Sequence, residues 1–110
     1  MEGDSARERQ GTLEREIDRH DIGIRFGENL VRCRRQLTIS QEDLARRASL
    51  HRTEIGMLEN ARRGGRIDTL VKLRGALGIS ADELLEGLDW VPAPGGGGVF
   101  WIRRPGLEVT

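Results

Sequence analysis

At 110 residues and 12.3 kDa the chain has room for one hydrophobic core and not for two. Hydrophobic residues make up 36% and charged residues 33%, clustered so that a folded centre with charged ends is expected rather than global disorder. The formal net charge is zero, from 18 basic and 18 acidic side chains, so any attraction to a polyanion must be local.

No apolar run approaches the ~18 residues of a membrane span, and the N-terminus has no apolar stretch of a signal peptide. The one cysteine, Cys33, excludes an internal disulfide framework and suits a reducing compartment. A soluble cytoplasmic protein with no membrane contact is the expectation.

Charge is unevenly spread. Residues 1–24 carry 4 basic and 7 acidic groups, residues 25–66 carry 10 and 5, and residues 67–110 carry 4 and 6. A basic centre between acidic flanks favours a polyanion at that centre, with a solvated charged surface as the alternative. All the basic residues but Lys72 are arginines, the cation suited to phosphate and guanine.

In chain order, residues 1–22 read as a charged arm, flexible or forming a short helix around Leu13 and Ile17. Phe26, Leu30, Cys33 and Leu37 fall on one face of a helix over 24–37. Ser40 opens S-Q-E-D, an N-cap followed three residues later by an acid, and Leu44, Ala45 and Ala48 stripe a short second helix. After Ser49 and Leu50 comes a third helix over 51–60, with Ile55 and Leu58 inward. A-R-R-G-G-R at 61–66 is a basic loop. A fourth helix starts near Asp68, buries Leu70, Leu73 and Leu77, and ends at Gly78. Ser80 caps a fifth, with Leu84, Leu85 and Leu88.

Composition then shifts. Trp90-Val91-Pro92, A-P-G-G-G-G and Val99-Phe100-Trp101-Ile102 predict a β-hairpin that buries both tryptophans, in preference to a flexible glycine linker.

A short joint between the second and third helices is what a helix-turn-helix requires. The stretch S-Q-E-D-L-A-R-R-A-S-L-H-R-T-E-I-G-M-L-E-N resembles the lambda repressor/Cro-type motif of the XRE family. The matching residues are Ser40-Gln41, Leu44-Ala45, Ile55, Leu58, Glu59 and Asn60, then Asp68-Thr69-Leu70 and Ala76-Leu77, and the likeness spans residues 24–88.

The resemblance implies an all-α, five-helix lambda repressor-like domain over 23–88, with a Trp/Gly-rich tail at 89–110 as hairpin or extended chain. It implies a sequence-specific regulator of transcription on double-stranded DNA, a repressor by preference, that inserts helix 51–60 into the major groove. Arg52, Thr53 and Met57 then face bases. Arg52 suits guanine O6 and N7, Thr53 offers a hydroxyl or a methyl, and Met57 offers an apolar contact only. Gln41, His51, Asn60, Arg62, Arg63 and Arg66 are assigned to the DNA backbone, where they position without specifying. Gln41 serves equally as a brace for the third helix. Arg34 and Glu59 match a structural ion pair of the family.

Several residues depart from the family pattern. Thr38, Ser49 and Ala61 stand where glycine is common, His51 replaces the usual Ser or Thr cap, and Arg74 occupies a position usually small and buried. Gly56 weakens the third helix.

Other chemistries find little support. His20 and His51 are isolated, Cys33 has no neighbouring histidine, and the Gly95–Gly98 run lacks a Lys-Ser/Thr and a following helix. No enzyme, metal or cofactor is expected. The competing reading is an antitoxin or phage-associated module that uses the same fold and the aromatic tail to bind a protein partner. A homodimer on a pseudo-palindromic site is expected, with helix 80–88 and the 90–102 hairpin as candidate dimer surfaces.

Overall fold

The computed structural model describes residues 15–103. In chain order they form β1 (Arg15–Ile17), α1 (Arg19–Gln36), α2 (Gln41–Ala48), α3 (Arg52–Glu59), α4 (Ile67–Leu77), α5 (Ala81–Leu84), β2 (Leu88–Pro92) and β3 (Gly98–Ile102). The expected all-α fold is thus mostly helical, with a three-stranded antiparallel sheet in the order β1-β3-β2. The described residues divide into two compact units, 23–86 and a second that joins 15–22 with 87–103. Among the described residues no helix is long and apolar enough to cross a membrane.

The core of the 23–86 unit joins all five helices. Leu30 and Cys33 of α1 meet Leu44, Ala45 and Ala48 of α2, Ile55 and Leu58 of α3, Leu73 and Leu77 of α4, and Leu84 of α5. Ala45, 4% exposed, is small enough to let two helices approach. The helix α1 starts at Arg19, not near 24. The Asp18 carboxylate accepts the Asp21 N–H and the Asp21 carboxylate accepts the Asp18 N–H, so two otherwise unpaired donors are satisfied. It ends at Gln36, which leaves Leu37 in the turn and 40% exposed instead of in the core.

The fifth helix is far shorter than 80–88. It stops at Leu84, and the buried Asn29 amide donates to the carbonyls of Leu84 (2.9 Å) and Glu86 (3.1 Å). Gly87 then turns the chain at φ 86° into β2, so Leu85 is 39% exposed and Leu88 belongs to a strand.

In the other unit β3 is central. Trp90 lies opposite Phe100 and Pro92 opposite Gly98, while Ile17 faces Phe100 from the far side. The glycine run is the hairpin turn: Gly96, Gly97 and Gly98 have φ of 109, 75 and 154°. At Gly98 a Cβ would stand 2.5 Å from the Val91 carbonyl oxygen, so only glycine closes the hairpin.

The charged arm expected over 1–22 is corrected for residues 15–22, which form β1 and the start of α1; Leu13 lies outside the described residues. Ile17 and Ile102 are buried, but Trp90 remains 51% exposed, its ring edge-on to Phe100 at 5.0 Å. The expected burial of both tryptophans is therefore not met, because a three-stranded sheet of this size has too little mass to cover each face.

Candidate nucleic-acid interface

The sequence that shapes this surface is local. Ser40 caps α2: its hydroxyl accepts the Asp43 N–H at 3.0 Å and the Asp43 carboxylate accepts the Ser40 N–H at 3.2 Å. The Arg46 guanidinium and the Ser40 N–H hold the Asp43 carboxyl below its usual range. The joint to α3 is made by Ser49 in the left-handed region, φ 56°, with its carbonyl oxygen accepting from Lys72 Nζ at 3.3 Å. His51 then caps α3. Its Nδ1 accepts the Thr53 N–H at 3.1 Å, which requires that nitrogen to be unprotonated. A histidine thus does here what Ser or Thr usually does.

The angle of α3 is fixed from behind. Arg34 Nε donates to Glu59 Oε2 at 2.7 Å and its Nη2 donates to Oε1 at 3.1 Å, a two-pronged pair with both side chains largely out of water. Hydrogen bonding to Glu59 raises the Arg34 pKa above its ordinary value. Gln41 Nε2 adds a bond to Glu59 Oε1 at 2.9 Å. Three helices, α1, α2 and α3, are therefore tied to one carboxylate. Gly27 of α1 contributes by its missing side chain, since a Cβ there would lie 2.6 Å from the Glu59 carbonyl oxygen.

On the outer side, Gln41, Arg52, Thr53, Gly56, Met57, Asn60 and Arg62 line an open groove of about 690 Å³. This gathers the three residues expected at bases with three of the six expected at the backbone. Arg52 and Arg62 are exposed and, among the described residues, their guanidinium groups carry no ion pair or hydrogen bond. Their charge is thus uncompensated beside a helix N-terminus, a combination that attracts phosphate.

Asn60 spends its amide on the Gly56 carbonyl oxygen at 2.9 Å, closing the end of α3. His51, Arg63 and Arg66 lie outside the groove lining. His51 borders a neighbouring hollow with Glu42, Arg46 and Arg52, Arg63 pairs with Glu54 at 3.5 Å, and Arg66 pairs with Asp68 at 3.3 Å. Arg74 is exposed, so its charge sits in water despite the family's preference for a small buried residue.

Gly56 sits mid-helix, where glycine is less favourable than alanine by about 1 kcal/mol, and among the described residues nothing beyond its own helix backbone and chain neighbours stands within 4 Å of where its Cβ would be. Sequence reasoning did not find Gly27, Asn29 or Lys72 as positioning residues. A glycine and an asparagine inside an otherwise regular helix were the available signals for the first two. Among the described residues no three His, Cys, Asp or Glu side chains group as metal ligands would.

Comparison with known proteins supplies an independent line. The helix-turn-helix family model matches residues 30–84, half of the chain. The uncharacterized HTH-type transcriptional regulator y4dJ of Sinorhizobium fredii is 35% identical over 72 residues, covering 66% of this chain and 94% of the relative. Among solved structures, the restriction-modification controller protein C.AhdI from Aeromonas hydrophila is 34% identical with a TM-score of 0.55, covering 56% of this chain and 94% of that one. The P22 c2 repressor protein, solved in complex with a synthetic operator, is 29% identical with a TM-score of 0.53, again covering 56% and 94%. The sheet strands lie outside the matched 30–84.

Proposed function

This chain belongs to the helix-turn-helix family and is a DNA-binding regulator of transcription, and on that premise we propose how it reads DNA. The helix α3 enters the major groove of a duplex with its outer face, Arg52 and Thr53 foremost. Arg52 donates to guanine O6 and N7, Thr53 and Met57 meet neighbouring base edges, and Arg62 neutralises a phosphate. Arg63 and Arg66 contribute to phosphate binding only after leaving Glu54 and Asp68. Gln41 acts as a brace through Glu59, and its helix N-terminus faces a phosphate.

The observation that carries this reading is the groove. It collects the outward face of α3 and places two uncompensated arginines, Arg52 and Arg62, at its rim. Arg62→Ala should weaken binding to all duplexes alike and lower the slope of log K against log salt by about one. Arg52→Ala should instead relax preference at a single base pair. Equal effects of both variants on every sequence would mean that α3 does not read bases.

The active species is a homodimer on a pseudo-palindrome, with half-sites roughly 34 Å apart, since one eight-residue helix reaches few base pairs. It acts as a repressor by occupying its operator, in line with the likeness to the c2 repressor. A protein partner is the second reading. It is favoured by Trp90, 51% exposed on a sheet that lies outside the family match. Sedimentation of Trp90→Glu separates the two: conversion from dimer to monomer assigns that face to self-association.

A further inference from the structure

We infer that Gly56 is the point where the backbone of α3 comes closest to the duplex, its missing Cβ leaving the space that a base-pair edge occupies. This rests on the reading above and adds a residue that determines the fit.

Several observations meet at this position. Gly56 lies in the middle of α3, where glycine weakens a helix, so its presence calls for a reason. Among the described residues nothing supplies one. A Cβ built at Gly56 has no neighbour within 4 Å, in contrast to Gly27, where the end of α3 fills the space. The vacant volume opens instead on the groove, between Arg52 and Thr53 one turn before and Met57 and Asn60 after. Gly56 is only partly buried, and its carbonyl oxygen is already taken by the Asn60 amide, so the backbone there is fixed rather than loose.

On one face of a helix, residues 52, 53, 56 and 60 are neighbours. A side chain at 56 would stand between the arginine that reads guanine and the end of the helix. It would hold the helix axis off the floor of the major groove by the thickness of a methyl group. Without it, Arg52 and Thr53 reach base edges from a closer approach, and the base pair opposite Gly56 is sensed by contact with bare backbone. Hydrogen bonds to bases tighten or fail over a few tenths of an ångström, so a single methyl at this point is felt at both neighbours.

The molecule carries its own control. Gly75 of α4 also has no neighbour within 4 Å of a built Cβ, is exposed, and lies outside the groove lining. Alanine at either position should raise the melting temperature of the full chain by about 4 °C, the effect of a helix-propensity gain in a domain of this size. DNA affinity should separate them. For a duplex recovered by selection with the wild-type chain, Gly56→Ala should weaken binding at least tenfold, while Gly75→Ala leaves it within twofold.

The informative result is a variant that is more stable and yet binds less well, since misfolding cannot produce that pair. Undiminished binding by Gly56→Ala, with the wild type binding normally, overturns this inference and leaves the proposed function standing. A fall in melting temperature for Gly56→Ala also overturns it, because the space would then be needed by the protein itself. Failure of the wild type to select any duplex overturns the inference and the proposed function together.

Discussion

Among the described residues three other than glycine, Thr38, Ser49 and Ala61, hold φ of 55, 56 and 60°, and each ends a helix or a turn. The left-handed region costs such a residue about 1–2 kcal/mol, part of which glycine returns as lost chain entropy. Ala61→Gly is therefore expected to stabilise the protein by about 0.5–1 kcal/mol. It would appear as a higher urea midpoint with unchanged slope; an unchanged midpoint would mean that the strain is compensated locally. Gly27→Ala runs the other way. Its methyl meets two carbonyl oxygens at the end of α3, at 2.6 and 2.7 Å, and overpacking of that kind costs about 1–3 kcal/mol. The same urea titration should show the midpoint fall. The contrast also shows what single residues disclose. Positions 38, 49 and 61 were visible as glycine-like from the family resemblance. Gly27 and Asn29 were not, because their role depends on the ends of α3 and α5, 30 and more residues away.

Among elements, α3 is set by the pair Arg34–Glu59. Both side chains are largely buried, at 12% and 4% exposure, so removing one partner strands the other. Arg34→Ala should cost about 3–5 kcal/mol, a large part of the stability of a domain this size. A two-state denaturant curve measures it, and a loss below about 1 kcal/mol would place the pair in the class of surface bridges. The helix α2 has a pH dependence of its own. Its capping carboxylate, Asp43, titrates lower folded than unfolded. The stabilisation it supplies is complete above the ordinary Asp range near pH 4 and is lost as pH falls through the folded value. Asp43→Asn should therefore flatten the acid limb of the stability profile while leaving its slope near pH 7 unchanged. The helices were legible in the sequence because the apolar period of α1 to α4 is regular and Ser40 and Gly78 punctuate it. The fifth was overextended, since Leu84, Leu85 and Leu88 keep helical spacing although Gly87 and the Asn29 amide end the helix first.

For the whole molecule, the division at residues 22–23 and 86–87 separates the helical unit from the sheet. The helical core is complete within 23–86, and the family match at 30–84 falls inside it. Residues 23–86 produced alone should unfold cooperatively and still bind a half-site, while sedimentation shows a weaker dimer than the full chain. A non-cooperative melt would show instead that the sheet unit is needed for folding. The hairpin was readable from its turn chemistry and β-prone flanks. The strand β1 was not, because three residues of Arg-Glu-Ile carry no alternation and are strand only beside β3. The candidate interface was legible in its residue types but not in its bookkeeping. Among the described residues Arg63 and Arg66 are paired with acids while Arg52 and Arg62 are not, a difference that no spacing in the sequence encodes.

On the proposed reading, sequence-specific binding turns on Arg52, the exposed arginine at the start of α3 that lines the groove. The most direct measurement is selection of bound duplexes from a random library, run in parallel with the wild type and Arg52→Ala at low and physiological salt. A symmetric motif for the wild type, with one guanine position lost in the variant, is the predicted result. The same motif from both proteins would contradict direct readout by Arg52, and enrichment of nothing at either salt would contradict sequence-specific DNA binding itself.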